Sequence, residues 1–512
     1  MSTSFLPTQP KPATRVMDYK SAEFDKFVQD RMDEYQVTGL SVAVIQDDDI
    51  HAKGYGYATL SDEKVTTDTI FDMASTSKCT TAAAVALLVQ DDQYPDVQWT
   101  TPVSKLLPDD FTLADPHLTD EITIEDILSH RSGLAYHDDS YLSVRSKNPD
   151  NAKSLTRNLR NLEFVKPLRT TFMYCNIMYS VATHLVETVT GIPYAEYLRT
   201  KIWEPLGMTN TFHDIDDIKA HDAMSHKATG YHWNKETESH IAMPTYIQPE
   251  GQGAGCIFSS AGDYAKWIRS LLKRSAPLSE DTHKDLVQPR SFYSLDDEDK
   301  IPFSSYPLYA LGLVIESYRG HSLITHSGGV PGFESVVAYM PEHDWGLVCV
   351  GNTDNASYVI QTLMSTLIDD VLGVPNDERI DWSAFYRGWK DKEDKEDDEI
   401  KPEHTKPENP EPLGVPIEEL VGTYYDAGYK NLVLEMKDGR LVADCDDRCF
   451  PFVLTFEHLT GCKFLVHNRA SWSGDIRKWL GEVRIDGGKV TAVGVEFETE
   501  VNGHLIWFNR VE

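Results

Sequence analysis

The amino-acid sequence predicts an α/β protein: an antiparallel sheet flanked by helices, an all-helical region, and a small antiparallel β domain at the end. Alternating apolar runs occur near both ends of residues 21–388, and apolar residues three and four apart fill the part between them. Early and late strands must therefore pair in one sheet. A charged, proline-rich stretch at residues 389–415 separates this region from a C-terminal part with strand patterns.

The N-terminal elements can be assigned in order. Residues 1–20 are rich in Pro, Thr and Ser and predict a flexible leader. Ser21–Tyr35 follows as a helix. The alternating runs Leu40–Ile45 and Ile50–Leu60 flank the aspartates at 47–49 and predict a hairpin.

Helical patterns dominate the middle of the chain. Phe71–Gln90 leads from a short loop into a helix rich in alanine and leucine, which are strong helix formers. Apolar spacing predicts further helices over Ile124–Leu128, Ile177–Val189 and Tyr264–Leu272. Gly191 is a suitable C-cap for the second of these.

Strand patterns return late. Leu323–His326, Ser335–Met340 and Gly346–Val350 predict strands, and Ser357–Leu372 predicts a helix after them. These strands are the expected sheet partners of the N-terminal hairpin.

The division of the chain is predicted as 1–20, 21–388, 389–415 and 416–512. The third segment is the clearest linker, although its first half also fits a solvated helix. In the last segment, three turn signals lie between apolar runs: Asp438-Gly439, Asp486-Gly487-Gly488, and Asn502-Gly503 between Val495–Val501 and His504–Phe508. Three hairpins in so short a segment predict a small barrel or a meander.

Composition limits the partners. Asp and Glu outnumber Lys and Arg by 81 to 48, a net charge of −33. Such a surface repels phosphate backbones and anionic lipids, so we expect no nucleic-acid and no membrane partner. The N-terminal residues lack the apolar core of a secretory signal. The 7 cysteines are scattered, which predicts free thiols and a cytoplasmic location.

Ser-x-x-Lys occurs at Ser61–Lys64, at Ser75–Lys78 and at Ser270–Lys273. The spacing alone is common, but Ser75 opens the predicted helix. Residues i and i+3 share a helix face, so Lys78 lies beside Ser75. A helix N-terminus also offers backbone N–H groups to an oxyanion. The alternative is that Ser75 is an N-cap and Lys78 a solvated lysine.

Two further motifs accompany this one. Tyr174-Cys175-Asn176 precedes a helix, and Tyr174 and Asn176 point to one side if the backbone is extended. His326-Ser327-Gly328-Gly329 follows an apolar strand, where a glycine permits the close approach of a ligand. Singly, these motifs also fit an N-capping loop and a glycine-rich turn. Their order along the chain is what is distinctive.

The order S-x-x-K, Y-x-N, H-x-G resembles that of class C β-lactamases, serine DD-peptidases, and the esterases and D-aminopeptidases of the same superfamily. Thr123–Leu134 looks like the family's T-I-x-x-L-L-x-H-T-S-G-L, with Arg131 where the family usually has threonine. Glu204–Met208 resembles its E-P-L-G-M turn, and Gly253–Trp267 resembles its G-G-x-x-S-T-x-x-D-x-x-x-W segment. The likeness spans roughly residues 20–375.

The resemblance implies catalytic roles. Ser75 would be acylated, and Lys78 would accept its proton once burial had lowered the lysine pKa. Tyr174 would share that role by relaying the proton to the leaving group and by activating water. No metal and no organic cofactor is needed.

The resemblance also implies substrate-binding residues. Asn176 would hydrogen-bond the substrate and the lysine, and the N–H groups of Ser75 and Gly329 would form an oxyanion hole beside Gly328. His326 departs from the lysine of dedicated β-lactamases. Because histidine is mostly neutral at pH 7, it attracts the carboxylate of a β-lactam weakly. The H-x-G form is closer to D-aminopeptidases, some DD-peptidases and acyl-ester hydrolases.

The C-terminal segment resembles the lipocalin-like domain of many such hydrolases, which favours the barrel. The resemblance is carried by Leu420–Tyr425, Leu432–Leu434 and Asp438–Leu441. In D-aminopeptidase relatives an extra β domain reaches towards the active site. A stabilising appendage is the alternative.

Three functions remain open. The first is hydrolysis of a small-molecule or short-peptide substrate, an ester or an amide that includes D-amino-acid peptides. The second is an acyltransferase or cyclase with the same acyl-enzyme. The third, a non-catalytic binding or scaffold protein, predicts loss of the catalytic set, whereas Ser75, Lys78, Tyr174 and Asn176 are all present. The natural substrate and the oligomeric state stay open.

Overall fold

A long antiparallel sheet packed between helices, and a closed barrel beside it, make up the protein in a computed structural model. The structure describes residues 18–245, 248–293, 300–398, 401–499, 501 and 503–511. The predicted leader therefore lies outside the described residues except for its last three positions.

Within the described part of the chain, the strands before the barrel form three antiparallel sheets and connect through helices. In chain order they are β1 (Gly39–Gln46), β2 (Asp49–Thr59), β3 (Glu63–Lys64), β4 (Phe71–Asp72), β5 (Thr211–Phe212), β6 (Tyr231–Asn234), β7 (Ser239–Ala242), β8 (Phe258–Ser259), β9 (Ser291–Phe292), β10 (Leu308–Tyr309), β11 (Val314–Tyr318), β12 (His321–Val330), β13 (Phe333–Met340) and β14 (Trp345–Gly351).

The helices all precede the barrel. They are α1 (Ala22–Glu34), α2 (Ser77–Val89), α3 (Val103–Leu106), α4 (Pro116–Glu121), α5 (Ile124–Leu128), α6 (Ala152–Asn158), α7 (Ile177–Thr190), α8 (Tyr194–Leu198), α9 (Glu204–Leu206), α10 (Ile215–Ala220), α11 (Gln252–Gly255), α12 (Ala261–Lys273), α13 (Glu280–Val287), α14 (Ala356–Val371) and α15 (Trp382–Asp398). As predicted, α7 ends at Gly191, which has a left-handed φ of 70°.

The main sheet confirms the pairing of early and late strands. Within the described residues it contains nine strands in the order β3-β2-β1-β14-β13-β12-β11-β10-β9. The N-terminal strand β1 pairs antiparallel with β14, with Leu40 opposite Gly351 and Gln46 opposite Trp345. The sheet therefore joins early and late strands of this region, and β12 lies near its centre.

Both faces of the main sheet are covered. In β1, Val42 and Val44 belong to the core under α1 and α14, whereas Ala43 and Ile45 belong to the core shared with α2, α7 and α12. Successive side chains of a strand point to opposite faces, so a strand buried on both sides reads as a continuous apolar run. The helical region on the second face supports the turn that precedes α2.

The barrel confirms the C-terminal prediction. Its strands close in the order in which they follow in the chain. They are β15 (Gly422–Asp426), β16 (Lys430–Lys437), β17 (Arg440–Cys445), β18 (Phe452–Thr460), β19 (Lys463–Ala470), β20 (Ile476–Asp486), β21 (Lys489–Val495) and β22 (Ile506–Arg510).

One predicted strand of the barrel was wrong. The alternation in Val495–Val501 predicted a strand, but β21 ends at Val495 and residues 496–499 form an irregular loop. Glu496 and Glu498 in this loop are buried, and their carboxylates accept backbone N–H groups of Leu480 and His137. These tertiary hydrogen bonds replace those of a strand.

The segment between the two regions begins as a helix. Helix α15 runs to Asp398 and so continues into the acidic stretch. The first part of the predicted linker is therefore helical, which was the alternative that the sequence left open. The boundaries at residues 388 and 416 stay a prediction. All 7 cysteines are free thiols. Among the described residues, no helix is both long and apolar enough to cross a membrane.

The barrel contacts the N-terminal region through residues 141–145. The Ser143 amide donates to the Asp447 carbonyl at 2.9 Å, and the Cys449 amide donates to the Tyr141 carbonyl at 3.0 Å. The Arg145 guanidinium adds a hydrogen bond of 2.6 Å to the Arg448 carbonyl. These backbone contacts fix the loop that precedes α6 against the barrel.

Candidate active site

Ser75 lies in a strained turn at the start of α2. The turn Ala74–Thr76 is a 3-10 helix, and α2 proper begins at Ser77, two residues later than the sequence indicated. Ala74 has a φ of +47°, a left-handed conformation that costs an L-residue about 1–2 kcal/mol. The Asp72 carboxylate compensates by accepting the Ala74 N–H at 2.8 Å. The turn thereby presents Ser75 at the beginning of the helix.

Lys78 lies beside Ser75 and forms a hydrogen bond with it, as the helix periodicity predicted. Its Nζ lies 3.0 Å from Ser75 Oγ and donates to the carbonyl of Ala254 at 2.8 Å. The side chain is completely buried, and this burial lowers the pKa of Lys78 to about 7, although the Asp138 carboxylate opposes the shift. A large fraction of the amine is therefore neutral near pH 7 and can accept a proton.

Tyr174 is the third member of the group. Its ring centroid lies 4.8 Å from Lys78 Nζ. Burial raises the pKa of Tyr174, and the Ser75 hydroxyl opposes this rise by a smaller amount. The phenol therefore keeps its proton at neutral pH.

His130 holds the segment that carries Tyr174. Its ring stacks on Tyr174 with centroids 4.2 Å apart, and its Nδ1 accepts the Cys175 N–H at 3.0 Å. Burial, and then the charge of Lys78, lower the pKa of His130 well below its ordinary value. Because Nδ1 accepts a hydrogen bond, the neutral ring carries its proton on Nε2. The imidazole thus supports the site without adding charge.

Asn176 has a partner that sequence reasoning did not name. Its Nδ2 donates to Asp138 Oδ2 at 2.8 Å. The predicted lysine contact is replaced, since the Lys78 amine uses Ser75 and Ala254 as partners. Burial raises the pKa of Asp138 to about 6, and the hydrogen bond from Asn176 opposes that rise.

Strand β12 brings the H-x-G motif against the turn. A Cβ on Gly328 would lie 2.7 Å from the Ser75 nitrogen and 2.8 Å from the Met73 carbonyl oxygen. Only glycine allows this approach of strand to turn. The neighbouring Ser335 hydroxyl of β13 donates to the same Met73 oxygen at 2.8 Å. Gly329 follows directly, so the Ser75 and Gly329 amides can be tested as an oxyanion hole.

His326 is neutral, as expected from its residue type. Its Nδ1 lies 2.5 Å from the Ser327 carbonyl and its Nε2 lies 2.9 Å from the Tyr309 hydroxyl. The carbonyl can only accept, so Nδ1 carries the proton and Nε2 accepts from Tyr309. Burial, followed by the charge of Lys78, lowers the pKa of His326 to about 3.

The other two Ser-x-x-Lys strings have structural environments. Ser61 lies in an exposed turn. Ser270 donates to the Trp267 carbonyl within α12, and Lys273 pairs with Asp344. A possible metal-ligand group, His321, Glu342 and His343, lies at the opposite end of β12 from the motif. Of the three strings, only Ser75–Lys78 meets the Y-x-N and H-x-G motifs.

Comparison with known proteins identifies the family. The profile described as Beta-lactamase matches residues 24–363. The chain belongs to the beta-lactamase family. Among curated relatives of this beta-lactamase family member, the unguisins hydrolase of Aspergillus campestris is 35% identical over 499 residues, which are 95% of this chain and 91% of the relative. The unguisins hydrolase of Aspergillus violaceofuscus is 36% identical over 467 residues, 86% of this chain and 81% of the relative.

Solved structures share the beta-lactamase fold. The octameric penicillin-binding protein homologue from Pyrococcus abyssi has a TM-score of 0.61 at 22% identity and covers 96% of this chain and 100% of its own. D-amino acid amidase from Ochrobactrum anthropi has a TM-score of 0.53 at 23% identity and covers 69% of this chain and 98% of its own. At these identities the likeness shows the fold alone.

Sequence reasoning missed three contributors to this beta-lactamase site. Asp138 binds Asn176, His130 orders the Tyr174 segment, and the Ala254 carbonyl holds Lys78. His130 and Ala254 lie in segments that resembled family motifs, so the resemblance could have singled them out. For Asp138 the only signal was a pair of adjacent aspartates, which ordinarily indicates a solvated loop.

Proposed function

We propose that this protein hydrolyses amide or ester bonds of small substrates through an acyl-enzyme on Ser75. The observation that carries the proposal is the buried Lys78 amine 3.0 Å from Ser75 Oγ, with a pKa of about 7. A serine hydroxyl is a weak nucleophile until an adjacent base takes its proton. Lys78 supplies that base without a metal or an organic cofactor.

The geometry supports the following acylation step. Neutral Lys78 takes the proton of Ser75, and Oγ bonds to the substrate carbonyl carbon while the carbonyl oxygen gains the electron pair. The amides of Ser75 and Gly329 stabilise this oxyanion. When the carbon–nitrogen or carbon–oxygen bond breaks, the Tyr174 phenol protonates the leaving group and recovers a proton from Lys78.

Deacylation repeats the chemistry with water. Water loses a proton to the Lys78–Tyr174 pair and attacks the acyl carbon, which releases the acid. The proton then returns to Ser75 Oγ. The raised pKa of Tyr174 suits this role, because a phenol that stays protonated can donate at each departure.

A small peptide amide is the proposed substrate class. Two relatives that span most of the chain are named as unguisins hydrolases, and one structural neighbour is named as a D-amino acid amidase. His326 offers no cation at neutral pH for a carboxylate of the β-lactam type. We therefore expect turnover of neutral amides to exceed that of penicillins.

The test compares Ser75→Ala with the wild type on a chromogenic ester, a panel of D- and L-amino acid anilides and unguisins. We expect Ser75→Ala to lower the rates by on the order of 10³-fold or more. Ser61→Ala, an exposed serine of another Ser-x-x-Lys string, is the matched control. Intact-protein mass spectrometry should find one acyl group on Ser75 of the wild type.

The outcomes decide between the functions as follows. Equal measurable rates for Ser75→Ala and the wild type would remove the acyl-enzyme proposal, whereas no turnover by the wild type would leave a binding protein. If an added amine takes the acyl group in preference to water, the protein is an acyltransferase with the same intermediate. Free acid as the main product supports hydrolysis.

A further inference from the structure

We propose that the C-terminal barrel completes the active site, with Glu498 and Tyr429 as positioning residues that act on Asn176 through Asp138. This inference rests on the proposed function. It is carried by an unbroken series of contacts from the barrel to the Y-x-N motif.

The series begins with a buried carboxylate of the barrel. Glu498 is 3% exposed, and its Oε1 accepts from the Tyr429 hydroxyl at 2.6 Å and from the His137 backbone N–H at 3.1 Å. The Tyr429 hydroxyl also lies 2.8 Å from His137 Nδ1. Burying a carboxylate is costly unless it is hydrogen-bonded, so these bonds hold the two regions in a defined register.

The second step is the backbone of His137. This residue has a φ of 52°, in the left-handed region, directly before the 3-10 turn Asp138–Ser140. A non-glycine residue in that region is disfavoured unless its surroundings stabilise it. Glu498 accepts the N–H of this residue at 3.1 Å. The barrel therefore contributes to the direction in which the chain enters the turn.

The third step reaches the site. Asp138 follows His137 immediately and binds Asn176 Nδ2 at 2.8 Å. An ionised carboxylate can only accept, so the Asn176 amide is oriented with nitrogen towards Asp138. Among the described residues, Asn176 Oδ1 is buried without a hydrogen-bond partner. It is thus left as an acceptor for an N–H group of an amide substrate.

A simple stabilising appendage would not require this arrangement. The barrel has a second buried glutamate two residues away, and Glu496 accepts from the Leu480 N–H at 3.1 Å within the barrel itself. Likewise the buried Tyr424 donates to the Leu420 carbonyl at 2.8 Å, on the barrel side. Glu498 and Tyr429 differ because their partner is the loop that orients Asn176.

The experiment uses the full-length protein with Glu498→Ala and Tyr429→Phe, and with Glu496→Ala and Tyr424→Phe as matched controls. Glu498→Ala removes the acceptor of both contacts. For an amide substrate we expect it to lower kcat/KM on the order of tenfold to 100-fold, because small displacements of positioning groups cost that much. The controls should stay near wild type in kcat/KM at a matched loss of thermal stability. Equal kcat/KM in all variants would overturn the proposal.

A double variant tests the route. If Glu498 acts through Asp138, then Asp138→Asn with Glu498→Ala should lose little more than Asp138→Asn alone, since residues in one series are not additive. Fully additive losses would overturn that route.

Hydrogen exchange provides a readout that needs no activity. We expect Glu498→Ala to speed exchange in peptides covering residues 136–142 and 174–176, whereas Glu496→Ala leaves both unchanged. Unchanged exchange at 174–176 would overturn the inference whether or not Ser75 forms an acyl-enzyme. Absence of an acyl group on Ser75 in the wild type would instead contradict the proposed function.

Discussion

Burial acts on three side chains of the candidate site with three different results. It lowers the pKa of Lys78 to about 7 and produces a neutral amine beside Ser75. It raises the pKa of Tyr174 and keeps the phenol protonated. It lowers the pKa of His326 to about 3 and removes a cation that a serine β-lactamase would use. In each case burial disfavours the charged form of the side chain. Lys78 is therefore a neutral base, Tyr174 a protonated acid and His326 an uncharged neighbour.

The pH dependence of kcat/KM follows from Lys78. Its amine must be neutral to accept the Ser75 proton, so activity should rise with pH and level off above about 7. Below that value the rate should fall about tenfold per pH unit. His130 and His326 stay neutral over this range and should add no second limb. Steady-state kinetics on a neutral ester between pH 5 and 9 provides the measurement.

The Asp138→Asn variant tests whether the rising limb of this pH profile belongs to Lys78. Asp138 is the first charge that raises the pKa of Lys78 against burial. Its removal should lower the pKa of Lys78 further and move the rising limb to lower pH. Asp139→Asn, at the adjacent residue, should move the limb less. A limb that moves to higher pH in Asp138→Asn would contradict Lys78 as the base.

At the scale of elements, the periodicity of the sequence predicted α7, hairpins of the C-terminal domain, and the sheet strands β1, β2, β12, β13 and β14. It left open whether the hairpins form a barrel or a meander. It failed where a tertiary partner replaced a local one. Apolar and polar residues alternate over Val495–Val501 as they would in a strand. Glu496 and Glu498 nevertheless point inward, because their carboxylates accept hydrogen bonds from the backbone N–H groups of Leu480 and His137. Such partners are distant in sequence, and for the same reason the contact of Asp138 with Asn176 could not be foreseen.

The three motifs, by contrast, could be predicted because their order along the chain resembles that of a known family, and local geometry supports part of that prediction. Ser75 and Lys78 share a helix face, and Gly328 lies in a strand whose first part an apolar run predicts. The sequence could not predict how close the motifs lie to one another. In the structure, the strand that carries Gly328 packs with its backbone against the backbone of the turn that carries Ser75.

Gly328→Ala tests that packing of β12 on the turn. The new Cβ would meet two backbone atoms, the Ser75 nitrogen at 2.7 Å and the Met73 oxygen at 2.8 Å, neither of which can rotate away. The strand must move from the turn and widen the proposed oxyanion hole. We expect a loss in kcat/KM on the order of 100-fold and a lower free energy of unfolding by about 1–3 kcal/mol.

The control for this substitution is Gly388→Ala. Gly388 lies in α15, and a Cβ there would meet nothing within 4 Å. We expect it to keep full activity and to gain up to about 1 kcal/mol in the free energy of unfolding, because alanine favours helix. Denaturant titration and ester kinetics on both variants provide the comparison. Full activity in Gly328→Ala would show that close approach is not required.

At the scale of the whole molecule, the excess of acidic groups extends into the interior. The net charge is −33, and several carboxyl groups are buried where the two regions and the helical layer meet. Glu250 is completely buried, and this burial raises its pKa to about 7. The same cause raises the pKa of Asp72 and of Asp139 to about 7. The folded protein therefore binds protons that the unfolded chain has released.

Stability should accordingly fall as pH rises. An unfolded glutamate titrates near its ordinary pKa of 4.5, whereas folded Glu250 titrates near 7. Its unfavourable contribution appears as pH rises through that window and is fully present above it. We expect a higher Tm at pH 6.5 than at pH 8. Lys78 acts in the opposite direction, because its pKa is lowered to about 7 whereas the unfolded lysine stays charged above that pH. It is one group against the three carboxyl groups with a pKa of about 7. The buried histidines oppose the trend only below their unfolded pKa of about 6.5.

Glu250→Gln isolates one group in this balance. The amide keeps the shape of the side chain and cannot ionise, so Tm should rise at pH 8 and change less between pH 6.5 and pH 8. Glu435→Gln, an exposed position on β16, should leave both values near wild type. Differential scanning calorimetry at the two pH values makes the comparison. A wild-type Tm that rises between pH 6.5 and pH 8 would show that the interior carboxyl groups are charged and compensated, because only paired charges remove the penalty of burial.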